Sequence, residues 1–171
     1  MTPEQAKWPH QDASALNIFY GDPLGTGGEA NPKWEAGNIG YWKPPYPMFY
    51  SDGKKSPFTR GLRIHRRCHQ AFTDAFTDAL QTLGHDYIMA NRLDISGGAY
   101  NYRVERGGSR LSVHAWGCAI DMDPAHNPFP ARWRKGMIDP KFCEILEKHG
   151  FTWRGRNADI DPMHFQLANR G

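Results

Sequence analysis

The chain has 171 residues, of which 39% are hydrophobic, 23% charged and 13% aromatic, enough for one compact domain with an appended segment and little more. Its 21 Lys and Arg against 18 Asp and Glu give a formal charge of +3 spread along the chain, a mild attraction to anionic surfaces that is too weak to argue for nucleic acid. No run of about 18 apolar residues marks a membrane span, and Met1-Thr-Pro-Glu-Gln-Ala-Lys-Trp8 lacks the basic-then-apolar order of a signal peptide. A monomer made in the cytoplasm, with no membrane insertion, is therefore expected. Cys68, Cys118 and Cys143 are an odd set without C-x-x-C spacing, which speaks against a disulfide framework and a thiolate zinc site. Any metal must then be held by histidine and carboxylate.

Residues 1–58 are rich in Pro, Gly, Trp and Tyr and have almost no helical period, as in Tyr20-Gly-Asp-Pro-Leu-Gly-Thr-Gly-Gly28. Such sequence predicts loops and short extended pieces, ordered by their aromatic load and wrapped over a core domain spanning 59–171. The functional alternative is an arm that binds through exposed Trp8, Trp34, Trp42 and Tyr46.

From Gly61 onward Leu62, His65, Cys68, Phe72, Phe76, Ala79, Leu80 and Leu83 recur at spacings of three and four, predicting one amphipathic helix stopped by Gly84. Tyr87-Ile-Met-Ala90 suits a strand, and Ser96-Gly-Gly-Ala-Tyr100 a turn. A second helix is predicted from the Asp139 cap and Pro140 through Phe142, Ile145 and Leu146 to Gly150. Phe151-Thr-Trp-Arg154 and His164-Phe-Gln-Leu-Ala168 read as closing strands. Without a β-α-β rhythm, the fold class expected is α+β with a mostly antiparallel sheet.

The stretch from Gly108 to Pro124 is the most informative, with His114 and Asp121 flanking the small residues Gly117, Cys118 and Ala119. Near the C-terminus Asp161-Pro-Met-His164-Phe-Gln adds another carboxylate and another imidazole. A catalytic zinc needs three protein ligands and an open position for water. His114, Asp121 and His164 meet that need, and Asp161, placed beside the metal, would take the proton from the activated water.

Ser-x-His-x-x-Gly-x-Ala-x-Asp at Ser112 to Asp121, followed by Asp-x-x-His-Phe at Asp161 to Phe165, resembles the zinc D,D-carboxypeptidases and L-alanyl-D-glutamate endopeptidases of the hedgehog-like fold, many of them phage endolysins. The resemblance reaches upstream to Gly98-Ala-Tyr-Asn-Tyr-Arg103 and downstream to Gly150-Phe-Thr-Trp153, covering about Leu62 to Ala168. It implies a hedgehog/D,D-peptidase-type sheet with packed helices and one Zn2+ held by His114, Asp121 and His164. Asp161 would be the general base, and Arg103 would stabilise the oxyanion or grip a substrate carboxylate. Ser112 would hydrogen-bond substrate or ligand-supporting groups, and Trp116 and Trp153 would wall the pocket. The implied partner is a peptidoglycan stem peptide, cut at L-Ala to D-Glu in an endolysin accumulating in the host cytoplasm. Cleavage at D-Ala-D-Ala is the alternative, and a noncatalytic, zinc-stabilised wall-binding or virion module a further one. Where many relatives carry Gly-Gly after the tryptophan, this chain reads Trp153-Arg-Gly-Arg156.

His65 and His69, four apart, lack the intervening glutamate of a metalloprotease helix and read as packing and surface positions. Asp123 and His126 are accounted for by a turn before Pro124 and Pro128, with a second cation as the alternative. Cys118 reads as a small buried residue, since nothing nearby in the sequence would activate its thiol.

Overall fold

The computed structural model describes residues 1–171. Asp12 opens the first helix, α1 (Ala13–Tyr20), by accepting the Ala15 N–H at 3.0 Å, a cap worth about 1 kcal/mol. Leu16 and Tyr20, four apart, enter the core while Ile18 on the other side is exposed. A second helix, α2 (Pro32–Asn38), starts at an Asn31 cap with proline in its first turn. Both helices replace part of the loop and extended structure expected for residues 1–58. Each is so short that one or two buried residues face inward, too few to establish a period.

The strand β1 (Ile39–Trp42) pairs antiparallel with β3 (Leu62–His65), Trp42 opposite Leu62. This corrects the predicted helix from Gly61, which begins only at α3 (His69–Leu83), after a 3-10 turn over Arg66–Cys68. Leu62 and Ile64 are buried on either side of exposed Arg63, an alternation that pairing with β1 selects over the helical spacing. Gly84 ends α3 as expected, its N–H returning to Leu80 O. The next segment is a helix, α4 (His85–Ala90), rather than a strand; four apolar residues fit either conformation, and only Ile88 is buried.

The larger sheet runs β2–β4–β5–β7–β6, from β2 (Phe49–Tyr50), β4 (Ile95–Gly98), β5 (Ala119–Met122), β6 (Thr152–Trp153) and β7 (His164–Gln166). Only β2–β4 is parallel in this sheet, so the fold is α+β with small, mostly antiparallel sheets. β4 occupies the predicted Ser96–Tyr100 turn. Gly97 serves close approach: a Cβ there would lie 2.5 Å from Pro124 Cγ. The last helix, α5 (Pro140–Lys148), is capped by Asp139 as the sequence predicts.

One hydrophobic cluster joins these parts. Trp42 packs edge-on against Phe72 and Phe76 at 5.1 Å, Phe76 against Phe142 at 5.8 Å, and Phe142 against Phe165 at 6.0 Å. Each such buried ring contributes roughly 1.5–3 kcal/mol through apolar burial. Trp34, Trp42 and Tyr46 belong to this cluster and are buried, and Trp8 is half-buried, packed against Phe19. These four side chains are thus packed inward, and the alternative of an arm binding through their exposed rings does not hold. No helix is long and apolar enough to cross a membrane.

Strand alternation sets the rest. Ile120 pairs with Phe165 and turns toward the helices, so Asp121 and its partner His164 lie on the opposite face.

Candidate metal centre

His114 sits on a 3-10 turn, Val113–Trp116, opened by Ser112, whose Oγ accepts the His114 N–H at 3.3 Å. Gly117 closes the turn in the left-handed region, at φ 69°. A side chain there is excluded twice, by that φ and by the His65 backbone nitrogen, 2.7 Å from where a Cβ would stand. The turn is held against Ala99, whose carbonyl oxygen lies 2.6 Å from His114 Nδ1. That carbonyl can only accept, so Nδ1 carries the proton and Nε2 a free lone pair.

His164 is arranged the other way round. Its Nε2 donates to Gln166 Oε1 at 3.0 Å, while the Gln166 amide nitrogen donates to Gln11 Oε1 and Ala168 O. Nδ1 of His164 is thus the lone-pair atom. It lies 3.1 Å from His114 Nε2 and 3.0 Å from Asp121 Oδ1, and Asp121 Oδ1 is 3.2 Å from His114 Nε2. Three electron-pair donors therefore point at one another, with ligand atoms within 4.8 Å. Such an arrangement is repulsive unless a positive charge sits among them.

The titration directions agree. Burial would depress His114, but Asp121 beside it, together with the Ala99 carbonyl, outweighs burial and raises its pKa. Burial would raise Asp121, but His114 and His164 hold its carboxyl far below the usual carboxylate range. A nitrogen-nitrogen-oxygen donor set, with both imidazole N–H groups anchored outward, fits Zn2+.

These groups line a cavity of about 320 Å3 together with Asp161, Arg103 and Ser112. Asp161 is held by its backbone, which donates to Arg154 O and accepts from His164 N–H, both at 3.1 Å. Burial pushes its carboxyl up from the ordinary range; His164 opposes this and the negative Asp121 reinforces it. Arg103 donates to the neighbouring Val104 carbonyl at 3.1 Å.

Trp116 and Trp153, expected to wall this pocket, do not line it. Trp116 is buried with its Nε1–H on Asn17 Oδ1 at 2.9 Å. Trp153 donates to Pro162 O at 2.8 Å and lies parallel to Phe165, so it pins the loop carrying Asp161. Their hydrophobic bulk is used in the core, and the cavity walls are chiefly polar.

Residues 106–167 match a family described as D-alanyl-D-alanine carboxypeptidase. That stretch contains His114, Asp121, Asp161 and His164 and begins just after Arg103. No curated protein and no solved structure gives a match.

The cavity also contains residues that sequence reading did not single out. Arg106, Arg110 and Arg170 join Arg103 and Arg154 on its walls. Arg154 and Arg170 share Asp159 as a partner, at 2.7 and 2.6 Å. The less compensated positive charge lies on the hairpin closed by the Val104–Leu111 bridge, where Arg110 meets Glu105 only at 3.6 Å. Arg106 there lies over the Phe129 ring. Gln166 was detectable as the residue two past His164, on the same strand face. The crowding of arginine in Arg103-Val-Glu-Arg-Gly-Gly-Ser-Arg110 was the signal for the hairpin.

Elsewhere, His65 and His69 form no metal pair: His65 Nε2 donates to Tyr20 O at 2.9 Å and its Nδ1 accepts the Arg67 N–H. Asp123 pairs with Arg92 and His126 at 2.8 and 3.0 Å. Cys118 is buried, and burial pushes its thiol far up.

Proposed function

We propose that this chain is a zinc peptidase of peptidoglycan stem peptides, with a hedgehog/D,D-peptidase-type architecture, and that it cuts the L-alanyl-D-glutamate bond as endolysins do. One observation carries the reading: with their N–H groups anchored outward, His114 and His164 turn their lone pairs inward to converge with Asp121 in a cavity that also holds a carboxylate of raised pKa, Asp161. A structural ion needs no such extra carboxylate. The match to carboxypeptidases over residues 106–167 supports the peptidase class.

His114, Asp121 and His164 would hold the ion. Zinc there supplies Lewis-acid polarisation of the amide carbonyl and lowers the pKa of attacking water. The Asp161 carboxylate takes the proton from that water as it attacks the carbonyl carbon, and returns it to the leaving amine as the C–N bond breaks. Arg103 donates hydrogen bonds to the oxygen that gains charge, or to a carboxylate of the substrate. Ser112 supports the turn that presents His114. The less compensated arginines of the 104–111 hairpin favour an anionic peptide, which stem peptides are.

D-Alanyl-D-alanine carboxypeptidase activity is the second reading, favoured by the description of the matching family. Mass spectrometry of digested peptidoglycan separates the two. New N-terminal D-Glu supports the endopeptidase, free D-Ala supports the carboxypeptidase, and no release overturns both in favour of a binding module. Asp161→Ala is expected to keep stoichiometric zinc and lose hydrolysis; undiminished lysis by that variant removes Asp161 from the reaction.

A further inference from the structure

A second, larger concavity of about 740 Å3 lies away from the donor cluster, between α2, β1 and the turn Tyr100–Tyr102. Its chemistry differs from that of the metal cavity. Three tyrosines, Tyr41, Tyr100 and Tyr102, contribute to its walls, with Glu29, Glu35, Arg63 and Asn101 between them. Glu35 accepts from Arg63 and, at 2.7 Å, from the Tyr100 hydroxyl, while the Arg63 guanidinium lies 5.0 Å from the Tyr100 ring centroid. This network fixes the Tyr100 ring before any ligand arrives. Arg63 and the Tyr100 hydroxyl hold the Glu35 carboxyl below its ordinary range, keeping it a charged acceptor. Tyr41 is 51% exposed and the Asn101 side chain is exposed.

Two glutamates against Arg63 and against Arg60, whose guanidinium lies 5.3 Å from the Tyr41 ring centroid, give the groove no excess positive charge, so it does not select an anion. Its polar groups do not suit a purely apolar segment. The combination fits a neutral ring with C–H groups on its faces and hydroxyl or amide groups around its edge. Aromatic side chains with a polar tip cover the faces, and the carboxylate, amide and guanidinium groups pair with the edge.

We infer that this groove is a saccharide-binding site, and, resting on the peptidase reading above, that it takes the glycan strand from which the stem peptides branch. The turn joining the two cavities gives the inference its geometry. Ala99 O anchors His114, the Asn101 N–H donates to His114 O at 3.1 Å, Tyr102 lines the groove, and Arg103 lines the metal cavity. A polymer with sugar rings along its backbone and anionic peptides as branches matches two cavities that share one wall.

The test uses the full chain and chitotetraose, a soluble oligomer of N-acetylglucosamine, followed by calorimetry and amide chemical shifts. Saturable binding is expected, with shifts centred on Tyr41, Tyr100 and Asn101. Tyr41→Ala is expected to weaken it roughly tenfold, and Tyr41→Phe, which keeps the ring, to retain it. Hydrolysis of a sugar-free stem peptide should be unchanged in both variants, while Tyr41→Ala slows digestion of intact wall. No chitotetraose binding, or equal binding by Tyr41→Ala and the parent, overturns the assignment. If the parent binds chitotetraose through Tyr41 but never cleaves the sugar-free peptide, the groove stands and the peptidase reading falls.

Discussion

Nε2 of His164 lies 3.0 Å from Oε1 of Gln166, two residues further along β7. Through that bond the strand itself selects the tautomer that presents Nδ1 to Asp121 and His114. Gln166→Leu keeps the approximate volume but leaves the ring free to turn. Zinc affinity is expected to fall about 10–100-fold, read by competition with a chromophoric chelator; Gln166→Glu, which restores an acceptor, should recover part of it. Unaltered affinity in the leucine variant would mean that the ring is oriented by packing alone.

Zinc binding should weaken steeply as the solution becomes acid. Only a neutral imidazole offers a lone pair, and Asp121 raises the pKa of His114 against the opposing effect of burial, so protons compete with the ion at that nitrogen as the solution becomes acid. Titrating zinc into chelator-stripped protein at a series of pH values tests this. Loading should also raise the melting temperature, because the ion binds the folded arrangement alone. A pH-independent affinity would contradict the assignment of the two nitrogens as ligands.

His65 makes a separate contribution to acid sensitivity. Burial pushes its pKa down from 6.5 to about 4, and its Nδ1 already accepts the Arg67 N–H, which leaves no room for a second proton there. Because the folded pKa lies below the unfolded one, the contribution is complete above about pH 6.5 and is lost as pH falls toward 4. The loss is on the order of 3 kcal/mol. Urea unfolding of the metal-free protein at both ends of this window should show it, and His65→Gln, which keeps a donor for Tyr20 O, should flatten the slope. An equal slope in the variant would place the acid sensitivity elsewhere.

Gly117→Ala should cost roughly 1–3 kcal/mol and reduce zinc affinity as well. The new methyl group would strike the His65 backbone and Ile39 Cδ1, each 2.7 Å away, and the turn bearing His114 would move to relieve it. Equilibrium denaturation and zinc titration read the two effects. A stable variant with intact zinc binding would show that the turn accommodates the methyl without displacing His114.

The features legible in the sequence were those written locally. Asp139, Pro140 and Gly150 delimit α5 through capping chemistry confined to a few residues, and the Ser112–Asp121 and Asp161–Phe165 patterns identify the donor set. Misreadings arose where two conformations share one apolar pattern. Leu62 and His65 satisfy a helical spacing, and only the partner strand β1, in register at Trp42↔Leu62 and Gly40↔Ile64, decides for a strand. Tyr87–Ala90 failed for the same reason. Trp116 and Trp153 look like pocket walls because they adjoin the motifs, yet side-chain direction is set by packing around Asn17 and Phe165, which adjacency in sequence does not encode. The arginines at 106 and 110, on one hairpin, and at 170, near the C-terminus, reach the cavity from two distant segments, a convergence visible only after folding.

Asp121 and His164 are direct cross-strand partners in the β5–β7 ladder, and this ties chemistry to correct assembly. Sliding β7 by a single position would send its imidazole into the greasy interior and bring Phe165 out beside the carboxylate. A molecule with that error could not capture an ion at all. Metal uptake during refolding would therefore double as a proofreading signal, reporting that the central ladder has zipped in its proper alignment.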